Sequence, residues 1–316
     1  MIDVVALGEL LIDFATQAVD GEGYPTMAAH PGGAPANFLA ALTKFGANTA
    51  LIGKIGSDTF GKLLLGTLQK AGIETRGMVV TDDVFTTLAF VTFDDQGDRE
   101  FAFSRKPGAD TCLSFDEIDL SLIDEAKVFH FGTLSLTDEP ARSATYQAVA
   151  YAKEKGKLIT YDPNLRKPLW ADLEEAKNQL LWGLRHADVV KISDEEVEFL
   201  FGLGAEAGAQ HILENFGVKL VFVTCGADGC FFQNALAKGH VPSLSGIKVI
   251  DTTGAGDIFG GSAVYQLLQT DKRPEELTED ELRYIVRFAC TSAGFSTTRP
   301  GGISSVPDYD DVIAHM

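Results

Sequence analysis

Asp251-Thr252-Thr253-Gly254-Ala255-Gly256-Asp257 lies between the apolar run Ile247 to Ile250 and a helical pattern from Ile258 to Leu268. It reads as a strand, a glycine turn and a helix. Gly254 and Gly256 let the backbone come close to a ligand, and the N–H groups of a helix's first turn make a site for an anion such as a transferring phosphoryl group. Asp257 belongs to that turn. It is either a general base aimed at a reacting hydroxyl or a cap on its own helix, and spacing alone leaves both open. The helix dipole keeps it ionised and therefore weakly basic, which suffices for phosphoryl transfer, a reaction that demands little activation of its nucleophile.

Two nucleotide-binding patterns fail on their residues. A dinucleotide fingerprint needs a third glycine where Phe259 stands, and Gly260 comes one residue late. In Gly56-Ser57-Asp58-Thr59-Phe60-Gly61-Lys62-Leu63, the P-loop's Ser or Thr is replaced by Leu63, which has no oxygen for Mg²⁺.

Working outward, short apolar runs at Val4 to Leu7, Ala50 to Ile52, Val128 to Phe131, Leu158 to Tyr161, Val189 to Ile192 and Leu220 to Thr224 end near Gly, Asp or Ser. They read as buried parallel strands. Helical patterns lie between them, among them Ala36 to Phe45, Lys62 to Ala71, Ala141 to Lys155, Asp194 to Phe201 and Ala207 to Phe216, with Glu279 to Phe295 later. Such alternation predicts a doubly wound α/β fold built from right-handed βαβ units. Two β-rich stretches interrupt it, Ile12 to Met27 and Thr86 to Phe103, the second around the turn at 94–98. They predict an inserted small sheet, spanning about 12–30 and 84–106, that serves either as a lid or as a peripheral flap. The 316 residues, 45% of them hydrophobic, with 32 glycines, suit one large domain around a packed core.

A formal charge of −19 disfavours nucleic acid and anionic membrane as partners. It also means that a bound nucleotide must be held by local dipoles, N–H groups, Mg²⁺ and a few placed cations. The cysteines Cys112, Cys225, Cys230 and Cys290 form no C-x-x-C pattern and read as reduced core thiols. The N-terminal run carries Asp3 and Glu9 and lacks a basic start, so a cytoplasmic protein is expected.

Two further motifs stand where open α/β sheets bind ligands, at strand ends. In Gly8-Glu9-Leu10-Leu11-Ile12-Asp13 the terminal carboxylate suits sugar hydroxyls. In Pro31-Gly32-Gly33-Ala34-Pro35-Ala36-Asn37, Gly33 offers backbone and Asn37 an amide, unless they form only a turn and a cap.

G-E-x-x-x-D and G-G-x-P-A-N near the start, with D-T-T-G-A-G-D near the end, resemble the signatures of the ribokinase-like (PfkB) carbohydrate kinase family over essentially the whole chain. The resemblance implies a mostly parallel sheet flanked by helices with a small β lid, ATP and Mg²⁺ as requirements, and phosphorylation of a sugar hydroxyl. It makes Asp257 the catalytic base, Gly254, Ala255 and Gly256 the anion hole, and Asp13, Gly33 and Asn37 sugar ligands. Tyr161-Asp162-Pro163-Asn164-Leu165-Arg166 is similar to a D-P-N-x-R segment, which places Asn164 and Arg166 by substrate or phosphates. Lys191 is similar to a phosphate contact, and Thr224, Gly226 and Gly229 to a T-x-G-x-x-G nucleotide loop.

The family's N-x-x-E appears as Ser193-Asp194-Glu195-Glu196. Glu196 keeps the acid linked to Mg²⁺ through water, and Ser193 replaces an amide with a hydroxyl. On the residues alone this run is a helix cap. Asp251, Thr253, Ser296, Arg299, Gly301 and Ser305 match positions where relatives hold K⁺, mostly through carbonyls, although the segment from Thr297 to Pro307 reads equally well as an ordinary tight loop. The lid segment from Phe103 to Asp110 and the segment from Phe131 to Leu136 resemble fructokinases best. Phe101 and Phe103 either cover the sugar's apolar face or, as strand aromatics more often do, pack against one another. Arg105 could instead meet the carboxylate of 2-keto-3-deoxygluconate, or be a solvated lid cation. A sugar-binding regulator without catalysis is the non-enzymatic alternative, and a homodimer through the lid is left open.

Overall fold

The protein is described by a computed structural model covering residues 1–93 and 99–316, with side chains throughout except at 93 and 99–101. Its strands are β1 (Val4–Leu7), β2 (Leu11–Val19), β3 (Pro25–Gly32), β4 (Thr49–Gly56), β5 (Met78–Thr81), β6 (Leu88–Phe93), β7 (Arg99–Ser104), β8 (Val128–Gly132), β9 (Leu158–Asp162), β10 (Val189–Ser193), β11 (Leu220–Thr224), β12 (Cys230–Asn234) and β13 (Lys238–Val241).

Nine of these form one sheet in the order β13-β12-β11-β10-β9-β8-β1-β4-β5, parallel except for the antiparallel β11–β12 and β12–β13 pairs. The short apolar runs are explained by burial on both faces. Val5 and Leu7 of β1 join the core on one side of the sheet, whereas Val4 and Ala6 join the core on the other. Strand order reverses beside β1, since the chain builds toward β4 and β5 first and later returns to lay β8, β9 and β10 on the opposite side. Loops leaving the carboxyl ends of strands at such a switch point diverge and open a crevice.

A second sheet, ordered β3-β2-β6-β7, stands apart from the main one. The antiparallel hairpin β2–β3 follows β1, and β6–β7 is inserted after β5, with β2 parallel to β6. Among the described residues no helix is long and apolar enough to cross a membrane.

One expectation fails here. Ile247 to Ile250 is not a strand. Among the described residues no strand pairs with it, Val249 and Ile250 are 56% and 60% exposed, and the segment is tied down where Ile250 and Asp251 N–H donate to the Thr297 carbonyl at 2.7 and 3.0 Å. Apolar character here serves a cleft wall rather than a sheet. The four cysteines are free; Cys230 and Cys290 are buried, Cys225 is half-buried and packs against the core from its edge, and half-buried Cys112 alone departs from the expected core position.

Candidate active site

The helix Ala255–Leu268 starts at Gly254, whose φ of 75° is a left-handed conformation that glycine adopts without penalty. Asp257 is its third residue and is buried. This helix packs on Ala34–Lys44 at very short range, because a Cβ on Gly261 would sit 2.2 Å from the Phe38 carbonyl oxygen. Close approach joins two residues far apart in the chain: Asn37 Nδ2 donates to Asp257 Oδ2 at 2.9 Å. Burial pushes the Asp257 pKa up, while the Asn37 bond, Lys191 and Arg166 pull it down. The result is an aimed carboxylate with more basicity than an exposed one. Among the hole's amides, Ala255 N–H already donates to the Thr252 carbonyl at 3.2 Å. Helix geometry leaves Gly256 and Asp257 N–H without intrahelical acceptors, and Ala255 could join them only by giving up its turn.

A cavity of about 140 Å³ lies in front of Asp257. Asp13, Gly33, Asn37 and Arg166 line it as expected of sugar ligands, and the small sheet contributes Phe103 and Val91. Burial raises the Asp13 pKa to about 6, opposed by Arg166 and assisted by the carboxylates of Asp257 and Asp251. Asn164, expected beside substrate or phosphates, lines this cavity too and holds a left-handed φ of 47°. The Phe101 side chain lies outside the described residues.

Arg105 is a correction. It is not a solvated cation, being only 4% exposed, and it does not line the sugar cavity, its guanidinium being turned onto protein acceptors. Nε donates to Asp110 Oδ2 at 2.8 Å, and the two terminal nitrogens donate to Thr137 Oγ1 and the Leu134 carbonyl, each at 2.7 Å.

A second cleft, of about 560 Å³, meets the first at Thr252, which lines both. Lys191, Ser193, Thr224, Gly226, Gly229 and Gly256 form polar parts of its wall. Ile247, Val249, Phe259 and Ala293 form apolar parts, a combination that suits a flat base joined to phosphates. Lys191 Nζ donates to Asp162 Oδ2 at 3.0 Å. It also stands where a Cβ on Gly256 would be 2.9 Å away, so glycine is what admits the ammonium to the helix start. Burial alone would lower the Lys191 pKa, but Asp162, Glu196 and Asp257 outweigh it and the pKa is raised, keeping a cation where phosphates would lie.

Ser193 and Glu196 form a reciprocal cap on Asp194–Phe201. Glu196 N–H donates to Ser193 Oγ at 3.2 Å, and Ser193 N–H to Glu196 Oε2 at 2.9 Å. The other Glu196 oxygen accepts from Leu165 N–H at 2.7 Å. Each oxygen keeps a lone pair, and Glu196 lines a further cavity of about 190 Å³ with Asn164, Arg166 and Lys191. Hard, partly satisfied oxygens of this kind fit Mg²⁺ held through water.

Around Asp251, Oδ1 accepts from Thr253 N–H and Oγ1 at 2.9 and 2.7 Å, and Oδ2 accepts from Gly301 N–H at 2.9 Å. The Ser296 and Ser305 hydroxyls donate to the Ala293 and Gly302 carbonyls, and Arg299 N–H to the Ser296 carbonyl. Local bonds therefore order this loop, and among the described residues no group of three or more His, Cys, Asp or Glu converges on a metal site.

The model of the pfkB family carbohydrate kinases matches residues 1–309. The chain belongs to this family. Among curated relatives, probable fructokinase-3 of Arabidopsis thaliana is 41% identical over 99% of this chain and 91% of its own length. Fructokinase-2 of Solanum lycopersicum is 40% identical over 98% and 94%. Among solved structures, the fructokinase of Xylella fastidiosa with bound ATP has a TM-score of 0.90 at 30% identity, covering 99% of this chain and 98% of that one. The fructokinase of Vibrio cholerae O395 bound to fructose, ADP and calcium gives 0.88 at 30%, covering 99% of each chain.

In this pfkB kinase several pocket residues were not singled out by the sequence reading. Buried Glu9 accepts from Ala34 N–H at 2.8 Å and so fixes the turn presenting Gly33. Burial pushes its pKa up to about 7, opposed by that bond and by Arg105. Its place inside the Gly8 to Asp13 motif was the available hint. Leu134 and Val91 complete the apolar wall. His130, stacked on Phe38 at 3.7 Å between ring centroids, is kept neutral by burial, with its pKa lowered to about 3.

Proposed function

We propose that this kinase transfers the γ-phosphoryl group of ATP to a primary hydroxyl of fructose. The observation that carries the reading is the helix start at Gly254, from which Asp257 faces a sugar-sized cavity while Gly256 faces the larger cleft, the two meeting at Thr252.

Asp13, Gly33, Asn37 and Arg166 hold the sugar, and Asp257 accepts the proton of the attacking hydroxyl as the new oxygen–phosphorus bond forms and the bond from the γ-phosphorus to the bridging oxygen breaks, releasing ADP. Lys191 and the amides of Gly256 and Asp257 stabilise the equatorial oxygens of the group in transit. Lys191, Thr224, Gly226 and Gly229 hold ATP in the large cleft. Glu196 would hold Mg²⁺ through water, and the ion would neutralise phosphate charge. Asp251 and Thr253, with Ser296, Arg299, Gly301 and Ser305 from the end of the helix Glu279–Ser296 and the turn after it, would hold K⁺ beside the anion site. A lid-to-lid homodimer and a cytoplasmic setting, the latter suited to four free thiols, complete the proposal.

A 2-keto-3-deoxygluconate kinase would need a guanidinium for the substrate carboxylate; the Arg105 fork is turned onto Asp110, Thr137 and the Leu134 carbonyl, which leaves Arg166, a residue of the cavity wall, as the cation that an acid substrate would have to meet. The test is a coupled ADP-release assay over fructose, ribose, 2-keto-3-deoxygluconate and nucleosides. Fructose should give the highest kcat/KM, and absence of sugar-dependent turnover would leave a binding protein only. Asp13→Ala should raise the fructose KM, and an unchanged KM would remove Asp13 from the pocket.

A further inference from the structure

The strands of the small sheet leave the core through one buried knot. Thr87 immediately precedes β6 and Arg105 immediately follows β7, and both meet Asp110. The Thr87 hydroxyl donates to Asp110 Oδ1, while Arg105 reaches Oδ2 from Nε and from Nη2 at 2.8 and 2.7 Å. The Thr87 carbonyl also accepts from Ile12 N–H of β2 at 3.1 Å, so a third lid strand is tied at the same point. From the knot the guanidinium extends to Thr137 Oγ1 and the Leu134 carbonyl. Packing leaves no slack, because a Cβ on Gly108 would lie 1.9 Å from Thr87 Oγ1 and 3.0 Å from Arg105 Cγ.

Position explains what this arrangement governs. Phe103, in β7 two residues before Arg105, lines the sugar cavity. Val91 lines it from β6, and Leu134, whose carbonyl the guanidinium holds, lines it from the main domain. One planar fork therefore spans both walls of the pocket. We propose that Arg105, paired with Asp110, is a positioning residue that roots the lid and sets the width of the sugar pocket, controlling sugar affinity and size discrimination without touching the sugar.

A planar fork with several donors does this where an ammonium cannot, since lysine would satisfy one or two of the acceptors and leave the rest. Removing one charge alone would strand its partner in the interior, so the informative variant removes both: Arg105→Met with Asp110→Leu, an apolar exchange of a buried pair that commonly preserves the fold. Arg105→Lys, which keeps the charge, is measured beside it.

The inference rests on the sugar-kinase reading. Unaltered protein is therefore assayed first, and lack of sugar turnover there would fail that reading, whereas turnover with unsplit variants would fail this inference alone. The double variant should raise the fructose KM by roughly tenfold or more, leave the ATP KM within about twofold, and narrow the preference for fructose over larger and smaller ketoses. Arg105→Lys should show the same split to a lesser degree. If the double variant does not fold, the lysine variant decides. A folded variant with parental fructose KM and selectivity, or with sugar and ATP KM raised together, would overturn the proposal by reducing the pair to a general stabiliser.

Discussion

Replacing Gly302 by alanine should slow the enzyme by displacing the Asn37 side chain, which the new methyl group would strike. A Cβ at Gly302 would lie 2.2 Å from Asn37 Oδ1 and 2.6 Å from Nδ2. Ordinary contact needs about 3.4 Å, so the amide must retreat by roughly 1 Å. It has little room, since Gly254 closes its other side, a Cβ there being 3.0 Å from Nδ2. The 2.9 Å bond to Asp257 must therefore break. A hydrogen bond to a charged group contributes about 1.5–3 kcal/mol, equivalent to roughly one to two pKa units. The sign follows from the donor: Asn37 stabilises the ionised carboxylate, so its loss raises the Asp257 pKa further. The acid limb of kcat/KM against pH should move upward by about one unit or more, with the deficit largest at low pH. The assay is coupled ADP release with fructose from pH 5.5 to 9 on folded protein. A profile superimposable on the parent's, or one shifted toward acid, would refute the reasoning.

Asp13 makes a second pH test. Its pKa is raised from 3.8 to about 6, so the native state holds this proton more tightly than the unfolded chain, and the associated stability, full below about pH 4, is lost as pH rises through 6. Asp13→Asn should thus be more stable than the parent by about 1–3 kcal/mol at pH 8 and show no such gain at pH 4, as read from urea midpoints; equal midpoints at pH 8 would contradict the burial argument. Gly229→Ala, at φ 101° with its Cβ 2.1 Å from the Val241 carbonyl oxygen, should raise the ATP KM roughly tenfold with little change for the sugar. An unchanged ATP KM would separate this loop from the nucleotide. Ser193→Ala should cost about 1 kcal/mol of stability as a lost cap with kcat nearly parental, and a large fall in kcat would instead assign its hydroxyl to the phosphates.

The main sheet was legible because its strands are buried on both faces, which makes runs such as Val4–Leu7 and Leu220–Thr224 continuously apolar. The helix Asp194–Phe201 was equally clear because its cap is local, Ser193 and Glu196 being three residues apart. Ile247 to Ile250 misled for the same reason that the others succeeded, since apolar character marks burial against something but does not say whether a strand or a ligand cleft. Arg105 misled because a cation on an inserted hairpin ordinarily faces solvent, and Asp110, Thr137 and the Leu134 carbonyl reach it only in the folded chain. The bond between Asn37 and Asp257 spans 220 positions and leaves no local trace. The motifs named both residues as pocket members, but their mutual contact came only from the packing of two helices.

The account's central claim is that a buried carboxylate at the start of a late helix removes the proton from the attacking sugar hydroxyl. Single-turnover phosphoryl transfer by Asp257→Asn, measured alongside calorimetric binding of fructose, tests it most directly. Transfer should slow by roughly 10²- to 10⁴-fold with sugar affinity nearly intact. Transfer at close to the parental rate would contradict it.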